Sequence, residues 1–189
     1  MSTVRITGGV SLPGHSTPGA GFEAPFEMLL ACHERVERML DLLLRLQQHL
    51  LDKGCDASAR EAARDVMRYF DLAAPQHHED EERHVFPPLL AAADAGVRAV
   101  VLRLQQDHRD MTTGWAQARI TLQAVLEHAG DALTLDETQT ATLTQFAALY
   151  LQHLQDENGV VYPAAQASLS ADAVLLMSDD MMRRRGVRI

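Results

Sequence analysis

The sequence predicts an all-α protein, an up-down-up-down four-helix bundle with a short C-terminal helix, and three observations carry that prediction. Apolar residues recur at the spacing of amphipathic helices in four long stretches, and no segment shows the period-two alternation of a strand. Two stretches repeat one pattern: His77-x3-Glu81-Glu82-x2-Val85-Phe86-Pro87, then His153-x3-Glu157-Asn158-x2-Val161-Tyr162-Pro163. Each of the other two stretches carries one histidine inside its apolar stripe, His33 and His108.

The first helix follows from a stripe through Phe26, Leu29, Leu30, His33, Val36, Leu40, Leu43, Leu44 and Leu50, and Gly54 ends it. Asp56 or Ser58 caps the second, whose stripe runs through Val66, Phe70, Ala73, His77, Glu81 and Val85. Pro75 sits inside this helix and is expected to kink it about one turn before the His77 cluster. Pro87 and Pro88 are expected to stop or bend it, leaving residues 89–93 as a turn. The third helix spans about residues 97–128, with Val101, Leu104, His108, Met111, Trp115, Ala118, Leu122 and Val125 on one side, and Gly130 closes it. Asp136 is the N-cap expected for the fourth, which turns Leu143, Phe146, Tyr150, His153, Glu157 and Val160 inward and ends at Pro163.

The halves match in spacing. His33 precedes His77 by 44 positions, His108 precedes His153 by 45, and the two His-x3-Glu motifs are offset by 76. Such offsets suit approximate twofold symmetry between helix pairs and set all four histidines at a similar depth. Within each motif the histidine and glutamate share one helix face about one turn apart, so both can offer donor atoms to the same point.

Residues 1–21 read as a flexible Gly/Pro-rich leader, 22–169 as the bundle and 170–189 as a helical tail. The tail carries Val174, Leu175, Leu176, Met181 and Met182 before Arg183, Arg184 and Arg185, which suits a short helix with cations at its negative end. Docking on the bundle is its ordinary role, and a homo-oligomer is left open.

Composition excludes several classes. The chain has 189 residues, 47% hydrophobic and 23% charged, the range of a soluble single domain. A net charge of -9 argues against nucleic acid, whose binding relies on Lys and Arg. No apolar run reaches the roughly 20 residues that span a bilayer, and the leader lacks the apolar core of a secretory signal. Cys32 and Cys55 show no CxxC spacing and no disulfide framework. A cytoplasmic location without membrane attachment is therefore expected.

These motifs resemble the hemerythrin-like, or HHE cation-binding, family over about residues 22–166. The resemblance implies a centre of two iron ions joined by an oxo or hydroxo bridge, with zinc or manganese as substitutes. His33 and His77 would serve one iron, His108 and His153 the other, and Glu81 and Glu157 would bridge both. Buried carboxylates in close proximity resist ionisation, and two cations remove that penalty. Oxygen-carrying members place two histidines four residues apart in the third helix, whereas here Thr112 follows His108 at that spacing. His78, rotated about 100° from His77, is the expected replacement and seventh ligand, with Glu82 as its alternative.

The remaining candidates read otherwise. His84 lies seven residues past His77, at the bundle end. His15 is in the leader, and His49 and His128 lie near helix ends, where exposure is expected. Trp115 and Cys32 are read as packing residues, as is Tyr150, with pocket lining as a second role.

An open coordination position separates a reactive site from a closed structural one. The expected function is thus binding or sensing of dioxygen or another small diatomic such as nitric oxide, or of peroxide. The alternatives are a diiron enzyme that reduces peroxide or nitric oxide or oxidises ferrous iron, and a protein that donates iron or repairs metallocentres. For the last, the Arg183 to Arg185 tail is the candidate partner surface. A structural zinc site is the bland alternative.

Overall fold

The computed structural model describes residues 21–130 and 132–187; His15 and all of the leader except Gly21 lie outside them. Helix α1 (Pro25–Lys53) starts with a proline in its first turn and ends at Gly54, whose φ of 81° lies in the left-handed region that glycine tolerates. Asp56 caps α2 by accepting from the Ala59 backbone N–H, and α2 runs through residues 57–92. Helix α3 (Ala95–Glu127) is capped by Asp94. Helix α4 (Glu137–Ser168) opens with a capping box in which Asp136 and Gln139 bond each other's backbone N–H groups. Helix α5 (Ala171–Arg184) is capped by Ser170.

The first four helices pack in a ring, α1 on α2, α2 on α3, α3 on α4 and α4 back on α1. Two apolar clusters fill it. One surrounds Leu43, Val66, Phe70, Leu122 and Phe146. The other, at the opposite end, contains Phe26, Leu29, Phe86, Leu104 and Tyr162. Between them lies a buried polar layer that includes His33, His77, Glu81, His108, His153 and Glu157. No single helix among the described residues is long and apolar enough to cross a membrane.

The prolines do not end helices. Pro87 and Pro88 lie within α2, which continues to Ala92, and Pro163 lies within α4, which continues to Ser168. At Pro75, where a kink is expected, the helix also continues. A proline inside an α-helix lacks an N–H and drives its ring into the carbonyl four residues back. Here the turn before Pro75, Pro87 and Pro163 widens into a π turn, over Tyr69–Ala73, Glu81–Val85 and Glu157–Val161. The N–H groups of Ala74, Phe86 and Tyr162 bond to the carbonyls of Tyr69, Glu81 and Glu157, five residues back. The wider turn also returns Val161 rather than Val160 to the buried face.

After α4 the chain turns by 117° into α5, which lies across one end of the bundle. Met177 and Met181 are fully buried in the cluster around Phe26. Arg184 and Arg185 turn inward onto Asp80, which is 1% exposed. Both arginines are therefore engaged within the chain, which leaves Arg183 as the exposed member of the expected partner surface.

Candidate metal centre

The two π turns that begin at Glu81 and Glu157 sit at the same level of the bundle, and each follows a histidine one turn earlier. His33 from α1 and His108 from α3 meet them from the other two helices. The result is two groups of donor atoms. His33, His77, Glu81 and Glu157 each bring one ligand atom within 4.8 Å of the others, and so do His78, His108 and His153. All seven residues singled out in the sequence thus lie in one layer.

The two carboxylates stand between the groups. Glu157 turns Oε2 to His33 Nε2 at 3.2 Å and Oε1 to His153 Nε2 at 3.0 Å. Glu81 turns Oε1 to His77 Nε2 at 3.6 Å and Oε2 to His108 Nε2 at 3.5 Å. His78 lies flat against His108, ring centroids 4.0 Å apart and planes within 13°. Glu82 points away from the donors: it accepts from His108 Nδ1 at 3.0 Å and from Gln105 Nε2 at 2.7 Å.

Burial and mutual charge set the protonation. Burial pushes Glu81 up to about 7, and the neighbouring Glu157 charge adds to that. Burial also acts to raise Glu157, but His153 and His33 outweigh it and hold this carboxyl well below its usual range. Burial depresses His33, His108 and His153, yet contacts with the two glutamates bring all three above the ordinary histidine value. His77 and His78 are held well below theirs, chiefly by burial.

Several of these atoms have no hydrogen bond. Glu81 Oε2, both oxygens of Glu157, His108 Nε2 and His153 Nε2 are buried without a hydrogen-bond partner. Such orphaned atoms are costly, and a cation between them would satisfy all of them. Mixed imidazole and carboxylate donors suit first-row transition metals such as iron and zinc. The residues present therefore fit a metal centre. Ligation requires deprotonated donors, so cation uptake should release protons, and affinity should fall as pH drops through about 7, where Glu81 takes up its proton. Calorimetric titration in two buffers of different ionisation enthalpy measures that release; equal apparent enthalpies in both would contradict it.

The model of the Hemerythrin HHE cation binding domain matches residues 24–165. The chain belongs to the hemerythrin family. Its hemerythrin domain is a metal-binding helical bundle, and the His/Glu layer is the cluster that fits the cation site. A protein of Haemophilus influenzae, described only as an uncharacterized protein, is 27% identical over 169 residues, 89% of this chain and 94% of its own length.

Other sequence candidates fall outside the donor layer of the hemerythrin domain. His84 bonds Asp180 Oδ2 at 2.9 Å, under α5. His49 and His128 are half-buried rather than exposed. The Tyr150 ring lies 6.4 Å from the rings of His78 and His153, beside the layer. Trp115 is half-buried, with its indole N–H on Asp71. Cys32 is half-buried, and burial pushes its thiol up.

Three residues of the site escaped sequence reasoning. The Tyr162 hydroxyl donates to Glu81 Oε1 at 2.5 Å and lies 2.9 Å from His33 Nε2. Asn158 Oδ1 accepts from His33 Nδ1 at 2.8 Å. Asp107 faces His153 Nδ1 at 3.3 Å. Each stands in or beside a motif, Asp107 next to His108 and Asn158 next to Glu157, but adjacency alone does not show which ring each one meets.

Proposed function

We propose that the centre holds two iron ions, with zinc or manganese as substitutes, and that it binds or senses a small molecule such as dioxygen, nitric oxide or peroxide. The observation that carries this reading is the unequal number of imidazoles around two shared carboxylates. His78, His108 and His153 would hold one cation, and His33 and His77 the other, with Glu81 and Glu157 contributing one oxygen to each. The His33/His77 side is one donor poorer, which favours entry of a small molecule there.

Bound iron would supply redox activity and an exchangeable coordination position. The chain supplies the surroundings. Leu29, Phe86, Leu104 and Val161 close one side of the layer with apolar surface, which keeps water away from the buried donors. Tyr162 is held by stacking on His33 at 5.1 Å and by the edge of Phe26 at 6.1 Å, and it presents its hydroxyl to Glu81 and His33 on the donor-poor side. Burial and the two glutamates push that phenol far above its ordinary value, so it keeps its proton.

Ligand chemistry favours binding over oxidase turnover. Ferritin-like oxidases carry carboxylate-rich Glu-x-x-His sites, whereas this layer offers five imidazoles to two carboxylates. Metal analysis with visible spectra, before and after reduction and exposure to dioxygen or nitric oxide, tests the reading. About two irons per chain and a spectral change that reverses when the gas is removed are expected. Steady consumption of peroxide or nitric oxide would move the protein to the enzymes, and a colourless zinc protein would remove the redox functions.

A further inference from the structure

We propose that the two halves of the centre differ in affinity for a divalent transition cation. The His78/His108/His153 half loads first and holds tightly; the His33/His77 half loads second and weakly, with Tyr162 closing it when only one cation is bound. This rests on the dinuclear reading above and adds an order of loading to it.

The first support is the distribution of unsatisfied atoms. In the His78/His108/His153 half, His108 Nε2, His153 Nε2, Glu81 Oε2 and Glu157 Oε1 are all buried without a hydrogen bond. Their contacts with one another are ion pairs, chiefly His153 Nε2 with Glu157 Oε1 at 3.0 Å and His108 Nε2 with Glu81 Oε2 at 3.5 Å, which need protonated imidazoles, and one cation satisfies all four atoms without those protons. In the other half Glu157 Oε2 alone of the inward atoms lacks a hydrogen bond: Glu81 Oε1 accepts from Tyr162, and His33 Nε2 lies 2.9 Å from the Tyr162 oxygen and 3.0 Å from His77 Nε2. A cation entering there must displace these contacts, so its net gain is smaller.

The second support is what stands behind each imidazole. His108 Nδ1 donates to the carboxylate of Glu82 at 3.0 Å, and His153 Nδ1 faces that of Asp107 at 3.3 Å. A carboxylate there raises the basicity of the ligating nitrogen. His33 Nδ1 instead donates to the neutral amide oxygen of Asn158 at 2.8 Å, and His77 Nδ1 is buried with no hydrogen-bond partner.

The internal repeat shows that these differences are substitutions within one plan. Phe86 stacks on His108 at 5.5 Å and 21°, as Tyr162 stacks on His33 at 5.1 Å and 20°. Glu82 and Asn158 follow the two bridging glutamates, and His78 and Leu154 follow the two motif histidines. At all three positions the His78/His108/His153 half has the residue that strengthens cation binding, or lacks the hydroxyl that competes with it.

The experiment is titration of metal-free protein with Co2+, read by absorption and calorimetry. Wild type should take up two ions in steps separated by more than about tenfold, the scale on which outer partners change affinity. Glu82→Gln should weaken the first step about 10- to 100-fold and leave the second in place. Asn158→Asp and Tyr162→Phe should each tighten the second step. Two equal steps in wild type would overturn this inference alone, as would a Glu82→Gln effect confined to the second step or a second step weakened by Tyr162→Phe. Uptake of fewer than two Co2+ would sink the dinuclear reading and this inference with it.

Discussion

Replacing Glu157 with alanine is expected to cost the protein its metal and its metal-dependent stability together. Glu157 is fully buried, and its two oxygens face His33 on one side and His153 and His108 on the other. No other side chain in the layer touches three imidazoles through a carboxylate held as an anion. Its loss removes one shared donor from both halves at once. A cation present at about 100 times its Kd stabilises the folded state by about 2.7 kcal/mol. For a chain of this length each kcal/mol moves the melting midpoint by about 2–4 °C. The variant should therefore melt about 5–10 °C below metal-loaded wild type, and a chelator should change its midpoint little. Glu157→Gln keeps the shape without the charge and should lose metal in the same way. Metal analysis and melts with and without chelator check both variants; unchanged metal stoichiometry would sink the assignment.

Asp80→Ala should destabilise the protein through a different part of the fold. Asp80 is 1% exposed and receives Arg184, the last residue of α5, and Arg185, which follows it, each 14% exposed. Removing one partner of a buried ion pair costs about 3–5 kcal/mol. Both arginines keep some access to water, so the lower end, about 3 kcal/mol, is expected. The midpoint should then fall by about 6–12 °C. Because α5 covers Phe26 and Leu29 through Met177 and Met181, its loosening should also speed protease cleavage at the turn between α4 and α5. Arg183→Ala is the control: its side chain is 78% exposed, and its pair with Asp180 should contribute little. An Asp80→Ala protein with a wild-type midpoint would show that these pairs are worth no more than surface ones.

How far the site was legible depended on the range of the interaction. His77 with Glu81, and His153 with Glu157, share a helix face by the 3.6-residue period, so both pairs could be read from spacing. His33 and His108 sat in apolar stripes at matching offsets, and the bundle brings them into the same layer. Tyr162 was visible in the repeated motif but unassigned, because its role depends on Glu81 and His33, 81 and 129 positions away. Asn158 and His33 are 125 positions apart, and Asp107 and His153 are 46. No periodicity reports such pairings.

The π turns show the same limit within one helix. Taken locally, Pro75, Pro87 and Pro163 disrupt a helix, and the expected stop or bend at Pro87 and the expected end at Pro163 followed from that. The segments beyond Pro87 and Pro163 carry Leu89 and Ala165, both buried in the bundle. Packing holds the helix on either side of each proline, and the lost bond is absorbed by widening one turn.

The sequence by itself determined the all-α class, the helix order, the caps at Gly54, Asp56 and Asp136 and the two paired motifs, because each rests on residues within a few turns of one another. The tertiary structure alone decided which oxygen faces which imidazole, which imidazole is backed by a carboxylate, and where the arginines of α5 point. Those outcomes depend on contacts between helices far apart in the chain, where burial makes each unpaired polar atom costly and so fixes its partner.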